Sequence, residues 1–146
     1  MKQMIENWDG GNMVATINVE DKDTSSYGII TPGKIIRDKI EVRGIVEKPK
    51  PKNAPSNIAV VGRYIIQPSV FEDLALQKKG TNDEIQLTDS LSSQIGKAPF
   101  YAYNFIGTRY DCGTKIGFTK ANTNFALKDD EIGKEYNDWL SSLLKN

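Results

Sequence analysis

Three kinds of residue in this chain could do chemistry on a small ligand: a carboxylate beside an ammonium, a second carboxylate far along the chain, and a single thiol. The first pair closes the run Gly44-Ile45-Val46-Glu47-Lys48-Pro49-Lys50. Ile45 and Val46 are β-branched and favour a pleated backbone. Pro49 cannot donate to a central ladder and biases Lys48 toward an extended conformation, so the strand is expected to stop at Glu47-Lys48. A carboxylate there can accept from two sugar hydroxyls, and a lysine is a point charge suited to phosphate. The same two residues also read as a solvated ion pair ahead of a basic, proline-rich loop. Asp111 precedes Cys112-Gly113-Thr114, where an aromatic strand gives way to a helix. A carboxylate at such a junction can hold Mg²⁺ against a phosphate, or serve as a turn or capping residue. Cys112 reads as a small buried residue, with no base next to it. The chain has no histidine, which excludes Ser-His-Asp and Cys-His catalysis and any histidine-ligated zinc. What chemistry remains uses carboxylates, lysines, arginines and a hard metal, as in phosphoryl or nucleotidyl transfer.

The elements that must position these residues follow from periodicity. Met1, Met4, Ile5 and Trp8 lie at helical spacing, stopped by Gly10-Gly11 and followed by a strand over 13–19. That helix has no capping Ser, Thr, Asp or Asn before it, so the chain reads as starting in mid-domain. Residues 20–26 read as a polar loop, 27–30 as a short strand and Thr31-Pro32-Gly33 as a turn, with a brief strand at 35–37. The segment 40–47 alternates and is expected to pair with 27–30. Gly28 marks either a bulge or a close approach of a ligand to the backbone. The apolar run Ile58-Ala59-Val60-Val61 reads as a buried strand continuing to Ile66. Pro68 opens a helix to about Leu76, with Glu72 and Asp73 placed in its first turn. Lys78 to Asn82 reads as a loop. Leu87, Leu91 and Ile95 form a helical stripe with Thr88 as its cap. A strand at 100–105 leads to two terminal helices, the second with Asp129, Asp130 and Glu131 in its first turn.

Length and charge set the outer bounds. The 146 residues suit one domain, and 19 basic against 19 acidic side chains argue against a nucleic-acid partner. No apolar run approaches the roughly 20 residues of a membrane span, nor does the N-terminus look like a signal peptide. One cysteine excludes an intrachain disulfide and fits a reducing compartment, so a cytoplasmic location is expected.

In order along the chain, Tyr27-Gly28, Val46-Glu47-Lys48-Pro49, Ala54-Pro55-Ser56-Asn57-Ile58-Ala59-Val60-Val61-Gly62-Arg63-Tyr64, Glu84-Ile85-Gln86-Leu87-Thr88-Asp89 and Arg109-Tyr110-Asp111-Cys112-Gly113 closely resemble the bacterial UTP–glucose-1-phosphate uridylyltransferases, also called UDP-glucose pyrophosphorylases. The resemblance covers essentially the whole chain. It implies an α/β fold: the later part of a nucleotide-diphospho-sugar transferase domain, with a Rossmann-like mixed sheet lacking several parallel strands and C-terminal helices. It divides the chain into a sugar-phosphate half, 1–112, and a helical part, 113–146. It also implies that Gly28 meets the sugar through its backbone, Glu47 accepts from glucose hydroxyls, and Lys48 neutralises the phosphate as the catalytic cation. Val60, Gly62 and Tyr64 would line the sugar pocket, and Asp111 would be one of two carboxylates holding Mg²⁺. The implied ligands are glucose 1-phosphate, UTP and UDP-glucose, and the implied assembly is a homo-oligomer.

The chain departs from that family in having no Gly-x-Gly-Thr-Arg loop, no Pro-Lys-Glu-Met segment and no first metal carboxylate. These are the parts that cradle the nucleotide. The expectation is a C-terminal half, inactive alone. The runner-up readings are a non-catalytic remnant or assembly module using an orphaned sheet edge, and a related sugar-1-phosphate nucleotidyltransferase. Thr81-Asn82-Asp83 stands where the family usually has glycines.

Overall fold

Strand β1, Asn12–Asn18, is buried through its first five residues, and this sets the architecture around it. Its alternate side chains serve two cores. Met13 and Ala15 pack with Met4 of helix α1 (Lys2–Glu6) and with Tyr103. Val14 faces the opposite way, into a cluster with Ile30, Val42, Val60, Val70, Leu91, Phe100 and Ala102. A strand covered on both faces needs apolar side chains at consecutive positions, which the sequence Met13-Val14-Ala15 supplies. Each fully buried branched aliphatic side chain contributes roughly 1.5–3 kcal/mol, so these clusters dominate what holds the fold.

A computed structural model describes residues 1–76 and 86–143. It contains two compact units, residues 1–105 and 106–146. In the first, β1 is joined by β2 (Gly28–Ile36), β3 (Lys39–Glu47), β4 (Ile58–Ile65) and β5 (Phe100–Asn104). The strands follow one another in a closed order, β1-β4-β2-β3-β5, with β1 and β5 parallel and the other neighbours antiparallel. The expected mixed sheet is present, but its order closes, so no strand is left with a wholly orphaned edge. Helices α2 (Pro68–Ala75) and α3 (Leu87–Ser93) send Val70 and Leu91 into the larger core.

Four local expectations change. Thr31-Pro32-Gly33 is not a turn. β2 runs through it to Ile36 with irregular register against β3, and the hairpin turns at Arg37, whose φ is 56°. Residues Asp21–Ser26 form a 3-10 helix, with the Thr24 hydroxyl donating to the Asp21 carbonyl at 2.7 Å. The first turn of α2 holds no acid, because Pro68 starts the helix and Glu72 falls a turn later. Thr88 lies inside α3, whose N-cap is Gln86. The Lys78–Asn82 loop reading falls outside the described residues, as do Thr81-Asn82-Asp83.

In the second unit, α4 (Lys115–Leu127) is capped by Thr114, whose hydroxyl accepts from the Gly117 amide at 3.1 Å. Helix α5 is Gly133–Leu143. Asp129 to Glu131 precede it rather than form its first turn, and the Asp129 carboxylate accepts from the amides of Glu131 and Ile132 at 3.0 and 3.2 Å. Phe118, Phe125, Ile132, Trp139 and Leu143 are exposed. No helix among the described residues is long and apolar enough to cross a membrane.

Candidate functional site

The site begins with one cross-strand pair. In the β2–β3 hairpin Gly28 stands opposite Glu47, in regular register with Ile29 opposite Val46. Gly28 is therefore not a bulge. Its missing side chain makes room: a Cβ there would stand 3.1 Å from the Glu47 carboxylate Oε2 and 3.3 Å from Thr88 Cγ2. The Glu47 carboxylate thus lies over the Gly28 backbone, with the α3 threonine beside it.

Glu47 is mostly shielded, its side chain 16% exposed. No hydrogen bond reaches its carboxylate among the described residues, and its nearest cation, Lys48 Nζ, lies 3.9 Å from Oε1. A shielded carboxylate with open lone pairs is suited to accepting from ligand hydroxyls, since leaving such a group unpaired is costly. Tyr64 is near enough for Glu47 to act on it. Burial pushes the phenol above its ordinary value of 10.0, and the negative charge of Glu47 pushes in the same direction.

Lys48 departs from expectation. Its φ is 45°, in the left-handed region, not the extended conformation that Pro49 was expected to favour. The Lys48 amide donates to the Tyr27 carbonyl at 3.0 Å, adding one more rung beyond the last strand pair. The chain must then turn away into the 3-10 helix at Pro51–Asn53, and Lys48 takes the strained conformation that allows both. Its side chain is 61% exposed, leaving the ammonium open to a ligand.

Strand β4 brings in the remaining pocket candidates. Val60 pairs with Thr16 and Tyr64 with Val14, so residues 61 to 63 stand opposite Ala15 alone. Gly62 takes φ 72° at this bulge and is exposed, with nothing within 4 Å of where a Cβ would be. Val60 is different: its side chain is in the larger core, leaving only its main chain to face a ligand.

Thr88, expected as a cap, instead stands beside Gly28 through its methyl. Its hydroxyl is buried and has no hydrogen-bond partner among the described residues. Helix α3 is held by a polar clamp to α2. Gln94, almost fully buried, donates to Asp73 at 2.6 Å and accepts from Ser69 at 2.7 Å, and Ser93 also donates to Asp73.

Asp111 lies in the second unit. Its Oδ1 accepts from the Gly113 amide at 3.1 Å, its carbonyl accepts from the Thr114 amide at 3.1 Å, and Oδ2 is 3.7 Å from Arg109. It shapes the turn into α4 and keeps exposed oxygens. Cys112 is exposed, contrary to expectation, because that turn projects into solvent. Among the described residues no group of three or more histidine, cysteine, aspartate or glutamate side chains could hold a metal. A single carboxylate still matches Mg²⁺, which keeps most of its waters and takes one or two carboxylates with ligand phosphates.

The first unit thus holds a carboxylate and an ammonium at the end of a hairpin strand in a closed mixed sheet. Residues 1–128 match the nucleotidyl transferase family, and the chain belongs to it. Among curated proteins it is 39% identical to a UTP–glucose-1-phosphate uridylyltransferase of Staphylococcus epidermidis, over 98% of this chain and 50% of that protein. It is 40% identical to UTP–glucose-1-phosphate uridylyltransferase 2 of Staphylococcus saprophyticus, over 100% and 51%. Among solved structures, a UDP-glucose pyrophosphorylase complexed with UDP-glucose superposes with a TM-score of 0.79 at 39% identity, covering 88% of this chain and 49% of that one. The Acinetobacter baumannii UDP-glucose pyrophosphorylase gives 0.81 at 30% identity, covering 97% and 49%. The chain spans about half the length of the relatives it matches.

Proposed function

We propose that this chain supplies the sugar-phosphate half of a UTP–glucose-1-phosphate uridylyltransferase. The observation that carries the reading is the Gly28–Glu47 pair, which leaves a shielded carboxylate, with no hydrogen bond among the described residues, beside the Lys48 ammonium and near the Thr88 methyl. In this reading Glu47 accepts from two glucose hydroxyls, the Gly28 main chain lets the ring approach closely, and Gly62, Tyr64 and the Val60 backbone complete the wall. Lys48 neutralises the glucose phosphate and holds it for in-line attack of a phosphate oxygen on the α-phosphorus of UTP, with pyrophosphate leaving. Catalysis is then positioning and charge neutralisation, without a covalent enzyme intermediate. Asp111 would hold Mg²⁺ through one carboxylate, and the metal's role would be to neutralise phosphate charge. The nucleotide side of the reaction belongs to the remainder of the relatives' length. The names of those relatives support UTP and glucose 1-phosphate as substrates, and UDP-glucose as product or ligand. The exposed apolar side chains of α4 and α5 support a homo-oligomer, and the lone cysteine supports a cytoplasmic setting.

Calorimetric titration of the full chain with glucose 1-phosphate tests the reading. Saturable binding that Lys48→Ala abolishes and galactose 1-phosphate reproduces only weakly is the expected result. No binding by a folded chain, or binding indifferent to Lys48 and Glu47, would sink it.

A further inference from the structure

The far end of the same hairpin builds a second concave surface. Glu41 and Arg43 lie four to six residues before Glu47, roughly 13–20 Å away along an extended strand. Beside them is a groove of about 470 Å³, lined by Val42, Arg43, Lys97, Pro99, Phe100 and Tyr101 among others. That volume is in the range of small-molecule sites. Its lining mixes apolar and polar groups, the Glu41 carboxylate among them, and its two cations come from different elements, strand β3 and the turn after α3.

Arg43 is held in place before any ligand arrives. Glu41 Oε2 accepts from the Lys34 amide at 3.0 Å and from Arg43 Nε at 3.2 Å. Gly33 makes this possible, since a Cβ there would overlap both the Glu41 carboxylate and Arg43 Nε. With Nε occupied, the two Nη groups have no acceptor among the described residues and remain a paired donor. An oriented guanidinium fork suits a phosphate better than a mobile ammonium does. Lys97 follows Gly96, whose φ of 84° turns the chain after α3, and its ammonium meets no carboxylate among the described residues.

We propose that this groove is a binding site for a phosphorylated small molecule with a flat apolar body, of which a nucleoside monophosphate is the simplest case. Arg43 takes two phosphate oxygens, Lys97 adds the second positive charge, and the ring system lies against Pro99 and Tyr101. The site stands apart from Glu47 and Lys48, and the proposal does not depend on the uridylyltransferase reading.

The test is an amide NMR titration of the full chain, at fixed ionic strength, with adenosine 5′-monophosphate, adenosine and inorganic phosphate in separate arms. Adenosine 5′-monophosphate is expected to shift the amides of Gly96, Lys97 and Phe100 saturably, and phosphate to shift the same amides more weakly. Arg43→Ala should weaken nucleotide binding by about tenfold, a value typical of one lost charge-assisted contact. Arg43→Lys, which keeps the charge but not the fork, should recover only part of that affinity. Lys48→Ala should leave binding unchanged. The proposal is overturned if shifts appear only around Gly28 and Lys48, if adenosine binds as well as its phosphate, or if both Arg43 variants bind normally. It is equally overturned if sulfate displaces the nucleotide at matched concentration, or if poly-glutamate outcompetes it, which would mark a protein interface instead.

Discussion

Strand β3 carries two glutamates six residues apart that each face a glycine across the hairpin and differ in exposure and in what engages their charge. Each lies across the hairpin from a glycine whose missing side chain makes room for the carboxylate, Gly33 for Glu41 and Gly28 for Glu47. Glu41 is spent: the Lys34 amide and Arg43 occupy it, and the backbone bond foremost among these holds its pKa below the ordinary 4.5. Glu47 is shielded yet, among the described residues, its carboxylate has no polar partner closer than an ammonium at 3.9 Å. A fold satisfies its internal carboxylates wherever it can, because leaving one unpaired costs free energy. The difference therefore marks Glu47 as the residue whose partners come from outside, and Glu41 as part of the scaffold.

The largest effect should come from neutralising each acid in turn. Glu47→Gln is expected to weaken glucose 1-phosphate binding by roughly ten- to a hundredfold, the usual size of a lost charge-assisted hydrogen bond or two. Its thermal midpoint should move little. Glu41→Gln should leave that affinity alone. Calorimetry on both variants decides the matter, and equal losses in the two would erase the contrast.

Lys48 sharpens the comparison from the other side. A left-handed lysine before proline is strained by roughly 1–3 kcal/mol, and strain of this kind collects where a side chain must be aimed. Lys48→Gly should therefore abolish phosphate-dependent affinity while raising stability by up to about 1 kcal/mol, since glycine tolerates that backbone. Denaturant melts alongside binding would show it. A variant that loses stability instead would mean that the lysine side chain serves the fold.

The two glycines should separate as well, with smaller consequences. In Gly28→Ala the new methyl presses on Glu47 and Thr88, neither of which has much room to retreat, so binding should fall by about tenfold. In Gly33→Ala the obstacles are the ends of two exposed side chains that can swing into solvent. That variant should keep sugar-phosphate affinity and lose only a modest amount of stability. Glu41 also predicts the pH response. A depressed carboxylate contributes stability above its ordinary pKa and loses it as pH falls through the folded value. Glu41→Gln should consequently flatten part of the decline in stability below pH 4.5.

Much of this was legible in the letters, and the reasons are physical. Alternation gave β3, the continuous apolar run at Ile58 gave β4, and the strand read after Gly10-Gly11 gave β1, each to within a residue at either end. Pairing of 27–30 with 40–47 followed from their short separation. What escaped was set by tertiary contact. Pro32 and Gly33 read as a turn, yet β2 accommodates them through irregular register. Lys48 read as extended because the rule for residues before proline is local, whereas the rung to Tyr27 and the turn after it are not. Thr88 looked like a cap, and only the packing of α3 against the hairpin brings its methyl to Gly28. Cys112 read as buried because its type usually is, but the turn that Asp111 shapes carries it outward.

The smallest predicted effect tests whether Glu47 keeps its charge in the folded pocket. The Tyr64 phenol is raised first by burial and then by Glu47, so removing that charge should lower its pKa partway toward 10.0 and no further. The sign for stability follows. Above pH 10 the unfolded chain releases this proton while the folded chain retains it, so Tyr64 costs stability as pH rises from there to the folded pKa. Tyr64→Phe should remove that alkaline decline, and Glu47→Gln should shrink it. Ultraviolet difference titration of the folded chain separates the two contributions. A Tyr64 pKa unmoved by Glu47→Gln would place the carboxylate too far from the phenol to share one pocket, and the contrast with Glu41 would then rest on exposure alone.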